Sequence, residues 1–338
     1  MIATYVHNID PIIFSVTDAI KLRWYGLAYL LAFVVGYLLL KRLGDRKLWV
    51  LPGEKAADFI TMAAVFGVFL GGRIGNILVY QWDEFVADPV MLFKVWEGGM
   101  ASHGGILGLM IFTFVYSRMK KLSWTGLGDG LCVVAPLGIM FGRLANFING
   151  ELYGRIDRAH AWAMKFPDAL GDDLKSKEDT LAAQQSLFQD INAIDPELAS
   201  TINPALYTSN LTERHYGHFS EASLNSEQIR DAITPYLEPR YPSQLFQAAG
   251  EGLSLFLILY IIRIKFPRLP HGILTGLFFI FYAIFRITME NFREPEIADV
   301  NLLGSNFTMG QFLSLFMIII GVGFIIWGAV RKKGLADA

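Results

Sequence analysis

Arginine, asparagine and glutamate are expensive inside an apolar segment, yet the run GRLANFINGELYGR at residues 142–155 ends with Arg143, Asn146, Asn149, Glu151 and Arg155. Arg143, Asn146 and Gly150 have i, i+3, i+7 spacing and share one face of a helix, and the Asn149-Gly150 pair is a break that turns Glu151 and Arg155 back over its end. A structural helix end needs one cap, not five polar side chains. Further polar residues stand in apolar surroundings: Arg73 and Asn76 in GGRIGN, His103 in SHGGILG, and Arg286, Glu290 and Arg293 in a later apolar run. Such a set can bind an anion through guanidinium groups and move a proton through an imidazole.

The chain that must position these groups has 338 residues, of which 53% are hydrophobic and 18% charged, with a mean hydropathy of +0.40. That is too apolar for an ordinary soluble domain and marks an all-α integral membrane protein. Apolar windows of about 20 residues, the length that crosses a bilayer core, number about seven. They fall near 22–40, 57–80, 100–117, 127–147, 243–262, 272–291 and 309–330. The first is followed by KRLGDRK and lacks the basic lead of a cleaved signal, so it is expected to stay in the membrane.

Lysines and arginines at 41–55, 118–121, 263–268 and 331–333 follow alternate spans, which predicts an external N-terminus and a cytoplasmic C-terminus. The expected organisation is a membrane part over 1–150, an external insert over 151–240 and a second membrane part over 241–338. The insert carries helical-looking pieces without a strong periodic apolar face, and reads as a small external subdomain rather than a second core. On this topology the polar residues converge on the outer half of the membrane, where a charge at depth faces protein or water.

Bland readings compete with each residue. Arg73 or Arg293 alone can snorkel to headgroups, and Arg286, Glu290 and Arg293 at i, i+4, i+7 read first as a structural ion-pair ladder. The glycines at 71, 72, 75, 104, 105 and 108 let helices approach closely whether or not there is chemistry. His103 between small residues leans toward a functional role. Cys132, the single cysteine, permits no intrachain disulfide or cysteine metal cluster.

Taken together, WYG at 24–26, HGG at 103–105, the GRLANFINGELYGR block, RYPSQLF at 240–246 and GQFLS at 310–314 resemble the bacterial phosphatidylglycerol:prolipoprotein diacylglyceryl transferases. Ala145 stands where that family commonly has glycine, and the insert over 158–236 is longer than the family leads one to expect. The resemblance implies transfer of a diacylglyceryl group from phosphatidylglycerol to the lipobox cysteine of a preprolipoprotein, forming a thioether and releasing glycerol-1-phosphate. It implies that Arg143 and Arg240 grip the phosphate and that His103 is the general base. It places Tyr25, Arg73, Asn146, Asn149, Glu151 and Gly154 at the substrate, with Asn146 and Glu151 holding the glycerol headgroup or orienting the arginines.

The expected location is the bacterial inner membrane, as a monomer, with membrane lipids and signal peptides as partners. No cofactor, metal or nucleic acid is expected: there is no phosphate-binding glycine loop ending in Lys-Ser/Thr and no HExxH. The rival class is an anion transporter, supported by the echo between GRIGN at 72–76 and GRLAN at 142–146. That echo covers about five residues, and an odd number of spans does not divide into equal halves.

Overall fold

The computed structural model describes residues 4–15, 17, 21–94, 99–200, 213–294, 300–302 and 305–335. Among the described residues, six helices are long and apolar enough to cross a membrane: Trp24–Asp45, Gly53–Tyr80, Trp124–Asn149, Ser243–Lys265, Ile273–Glu290 and Met309–Arg331. The third expected window also forms a helix, Ser102–Lys120, which is not among those six. The chain is mostly helical rather than purely so, because two short antiparallel pairs join Ile12–Ser15 to Lys21–Arg23 and Val300–Leu302 to Ser305–Phe307.

The chain forms two compact units. One comprises residues 31–138, 253–284 and 315–338. Its tightest packing is between Gly53–Tyr80 and Ser102–Lys120, where small residues recur every fourth position. A Cβ on Gly71 would lie 2.7 Å from the Gly104 carbonyl oxygen, and one on Gly75 would lie 2.5 Å from the Gly104 Cα. Backbones this close gain dispersion contacts that a lipid-facing helix cannot obtain from the hydrophobic effect. In the same unit Asp129 is buried and accepts hydrogen bonds from the Gly272 and Thr275 amides and the Thr275 hydroxyl, each at 2.9 Å. It thereby satisfies the first turn of Ile273–Glu290 from a neighbouring helix.

The other unit comprises residues 1–30, 139–252 and 285–314. Contrary to the sequence reading, its insert has a hydrophobic core of its own. Leu170, Leu174, Leu187, Ile191, Tyr216, Phe219, Ile229 and Ile233 pack together there, all nearly or fully buried. The periodic face exists but carries polar members: Gln184, Leu187 and Ile191 on Thr180–Ile194, and Tyr216, Phe219 and Ser223 on Glu213–Asn225. Gln184 is tolerated inside because its amide donates to the Tyr216 hydroxyl at 2.6 Å. Asp179 and Ser226 cap the helices that follow them by accepting from Ala182 and Ile229 amides. Part of the insert, 201–212, lies outside the described residues.

Candidate active site

The helix Trp124–Asn149 ends on a left-handed glycine. Gly150 has φ +74°, its amide donates to the Phe147 carbonyl at 3.0 Å, and the Glu151 amide donates to the Asn146 carbonyl at 3.1 Å. This pair of bonds is a Schellman turn, which uses the last helical carbonyls and reverses the chain. The reversal brings Glu151 back beneath the helix end. Its carboxylate accepts from the side-chain amides of Asn146 at 2.7 Å and Asn149 at 3.3 Å. With its amide so engaged, Asn146 turns its carbonyl oxygen toward Arg143 Nη1, 3.5 Å away. The structure brings Arg143, Asn146, Asn149 and Glu151 together at this helix end, with Glu151 holding both asparagine amides and Asn146 lying next to Arg143.

Arg143 has a second partner that the sequence did not disclose. Glu251, on Ser243–Lys265, is fully buried, with Oε2 3.9 Å from Arg143 Nη2 and Oε1 3.6 Å from Arg286 Nη1. Arg286 also pairs with Glu290 at 3.0 Å, one turn along its own helix, and Arg293 lies within electrostatic reach of Glu251. Gly310 leaves room for this pair, since a Cβ there would lie 2.9 Å from Glu290 Oε1 and 3.1 Å from Arg286 Nη2. The ladder read from i, i+4, i+7 spacing is therefore real between Arg286 and Glu290. Beyond it, Arg286 shares a carboxylate with Arg143 across two helices.

Behind the turn, residues 154–157 run as an extended segment bonded on two sides. The Gly154 amide donates to the Tyr241 carbonyl at 3.0 Å, and the Arg155 amide donates to the Phe292 carbonyl at 2.9 Å. A Cβ on Gly154 would stand 2.5 Å from both the Phe292 and the Tyr241 carbonyl oxygens. Only glycine fits, so Gly154 has a packing reason apart from any substrate contact.

Arg240 was expected to grip phosphate, but its guanidinium is engaged elsewhere. It is 3% exposed, donates to Asp173 at 2.6 and 3.0 Å, to the Gly154 carbonyl at 3.0 Å and to Glu294 at 3.0 Å. Asp173 is itself fully buried and accepts from the Glu238 amide. Two carboxylates and a carbonyl thus hold this cation at the loop behind the site.

Tyr25 is half-buried, its ring centroid 5.2 Å from that of Tyr29, whose hydroxyl interacts with Tyr25 and feels the charge of Glu151. The other two expected residues belong to the other compact unit. Arg73 is buried and donates to the Met91, Lys94 and Gly99 carbonyls, where it clamps a loop rather than snorkelling to headgroups. His103 is exposed in the first turn of Ser102–Lys120.

Two guanidiniums about one carboxylate, with asparagines and Glu151 beside them, can hold an anion, and comparison with known proteins gives the arrangement a context. The family model described as "Prolipoprotein diacylglyceryl transferase" matches residues 11–327. The chain belongs to the prolipoprotein diacylglyceryl transferase family. Relatives named phosphatidylglycerol–prolipoprotein diacylglyceryl transferase, from Shigella boydii serotype 4 (strain Sb227) and Escherichia coli (strain K12 / DH10B), are each 34% identical over 338 residues. In both cases the match covers 98% of this chain and 98% of the relative. Within this transferase family member, the residues that sequence reading undervalued are Glu251 and Arg286. The signal for Glu251 was available in its neighbours: a lone acidic residue inside an apolar run, flanked by Gly250 and Gly252, marks a close three-helix approach.

Proposed function

We propose that this chain transfers the diacylglyceryl group of phosphatidylglycerol to the thiol of a lipobox cysteine in preprolipoproteins. The observation that carries this reading is the Arg143 and Arg286 pair facing one buried carboxylate, on a chain whose relatives bear that activity in their names. The cysteine sulfur attacks the glyceryl carbon that bears the phosphodiester oxygen. A carbon–sulfur bond forms, the carbon–oxygen bond breaks, and its electron pair leaves on the phosphate as glycerol-1-phosphate. The phosphate goes from one negative charge toward two, so the permanently charged guanidiniums of Arg143 and Arg286 hold it more strongly in the transition state than before. Glu151 and the asparagines keep Arg143 in place and supply hydrogen-bonding groups for the glycerol hydroxyls, and Tyr25 donates to the lipid.

A thiol with pKa near 8.5 needs a proton acceptor at neutral pH, and His103 takes that role. Arg240 supports the site by holding the loop that carries Gly154. In this reading Ser102–Lys120 is the seventh crossing, the N-terminus and the insert are periplasmic, the C-terminus is cytoplasmic, and the protein works as a monomer in the inner membrane. Purified protein incubated with phosphatidylglycerol and a lipobox peptide tests the reading by mass. The peptide gains one diacylglyceryl group, and a Cys→Ser peptide gains none; a folded protein that modifies neither refutes it.

A further inference from the structure

Glu251 takes no part in the reaction as written, although it is fully buried and ionisable. It lies in the π-helical stretch Ala248–Ser254, a widened turn of the kind found at functional sites. Its neighbour Gly252 is glycine for a steric reason, and Gly250 lies against side chains of another helix. A Cβ on Gly252 would lie 2.6 Å from Met140 Cβ and 2.8 Å from its Cα, one turn before Arg143 on the same helix. A Cβ on Gly250 would lie 2.9 Å from Met289 Cε and 3.4 Å from Phe285 Cδ1, the residues that bracket Arg286. The two arginine-bearing helices therefore press in on either side of the carboxylate.

The ion pairs formed there are loose. Among the described residues no group comes within hydrogen-bonding geometry of either Glu251 oxygen, and its arginine contacts of 3.6 and 3.9 Å exceed the 2.7–2.9 Å typical of a charge-assisted hydrogen bond. Arg143 and Arg286 both face the buried Glu251, and Arg286 also pairs with the buried Glu290 at 3.0 Å. Two guanidiniums converging this way suit a phosphodiester.

We propose that Glu251 is a positioning residue for the transfer reaction: a fixed anion that aims the guanidiniums of Arg143 and Arg286 at one phosphate and tempers their pull on the ground-state lipid. This rests on the transferase reading above. By offsetting part of the positive field, Glu251 keeps phosphatidylglycerol and glycerol-1-phosphate from being held too tightly before and after reaction. By fixing both guanidiniums, it keeps them aligned for the charge that develops in the transition state. It neither touches the sulfur nor carries its proton.

The test uses the full chain in detergent, with steady-state transfer from phosphatidylglycerol to a lipobox peptide and inhibition by added glycerol-1-phosphate. Glu251→Gln keeps the shape and removes the charge. The expected result is a kcat about 100-fold lower, with no rise in KM for phosphatidylglycerol. Added glycerol-1-phosphate should inhibit the variant at about tenfold lower concentration, since one opposing charge is gone. Glu251→Asp should recover part of kcat, and adding Glu251→Gln to Arg286→Gln should cost little more than Arg286→Gln alone.

Tryptophan-fluorescence melting gives the folded fraction to which each rate is referred. Wild-type kinetics in Glu251→Gln would overturn the proposal. So would weaker glycerol-1-phosphate inhibition together with a loss fully additive to that of Arg286→Gln, the pattern of a merely structural residue. If the wild-type protein forms no thioether, the transferase reading falls; glycerol-1-phosphate binding to wild type and Glu251→Gln, read by isothermal titration, still decides whether Glu251 tempers the anion site.

Discussion

Replacing Arg286 and Arg240 separately by glutamine distinguishes a phosphate-holding arginine from a loop-holding one. Arg286 lies 3.6 Å from Glu251 and 3.0 Å from Glu290, with its side chain 13% exposed. At a separation of 3.6 Å and an effective dielectric near 20, one unit of charge on a phosphate in its reach is worth about 5 kcal/mol. Loss of a single preorganised contact to a developing oxyanion costs about 2.7–4 kcal/mol in practice, so Arg286→Gln should lower kcat by roughly 100- to 1000-fold. Arg240 is different because Asp173, fully buried and 2.6 Å away, would be stranded without it. Stranding a buried charge costs about 3–5 kcal/mol of stability, on the order of 10 °C in melting temperature. Arg240→Gln should therefore melt early yet keep most of its turnover per folded molecule. Peptide mass kinetics beside fluorescence melting read both quantities. A stable Arg240→Gln with abolished transfer, or an Arg286→Gln with near wild-type kcat, would refute the assignment of the two arginines.

Other expectations follow from the same geometry. Glu151→Gln removes the charge that anchors Asn146 and Asn149 and should reduce transfer by about tenfold or more without unfolding the protein; full retention of transfer would remove Glu151 from the site. Gly154→Ala forces a methyl within 2.5 Å of two carbonyl oxygens, so the strand contacts to Tyr241 and Phe292 should open, lowering both melting temperature and activity; an unchanged melting curve would show that the segment yields easily. His7 is buried between Phe147 and Phe166, and burial holds its pKa below 6.5. The folded protein then resists protonation where the unfolded chain accepts it, so this contribution to stability is complete above pH 6.5 and declines as pH falls below it. Replacing His7 by Phe should flatten the fall in melting temperature between about pH 7 and pH 5, and an unchanged slope would mean that other groups set it.

The apolar windows and the punctuation at Asn149-Gly150 were readable because each is local: window length reports a membrane crossing, and a glycine after the last helical residue reports a reversal. The helix over 243–265 and the turn that returns Glu151 both follow from such signals. Partnerships across helices were not readable in the same way. Arg240 and Arg286 are both arginines near polar residues in the sequence, and only the fold gives Asp173 to the first and Glu251 to the second. Asp129 is similar, a carboxylate whose partners Gly272 and Thr275 lie more than 140 residues away. The insert's core escaped notice because its buried faces include Gln184 and Ser223, which break an apolar period without breaking the packing. Arg73 shows the converse, an arginine in an apolar run whose donors reach the carbonyls of a nearby loop.

The central claim is that paired guanidiniums on this chain drive diacylglyceryl transfer to a thiol. Its most direct measurement is the mass of a lipobox peptide after incubation with phosphatidylglycerol and purified wild-type or Arg143→Ala protein, with a Cys→Ser peptide alongside. The expected result is a gain of one diacylglyceryl group that requires both the thiol and Arg143. A gain that survives Arg143→Ala would contradict the role given to the arginine pair, and no gain with well-folded wild-type protein would contradict the transferase reading itself.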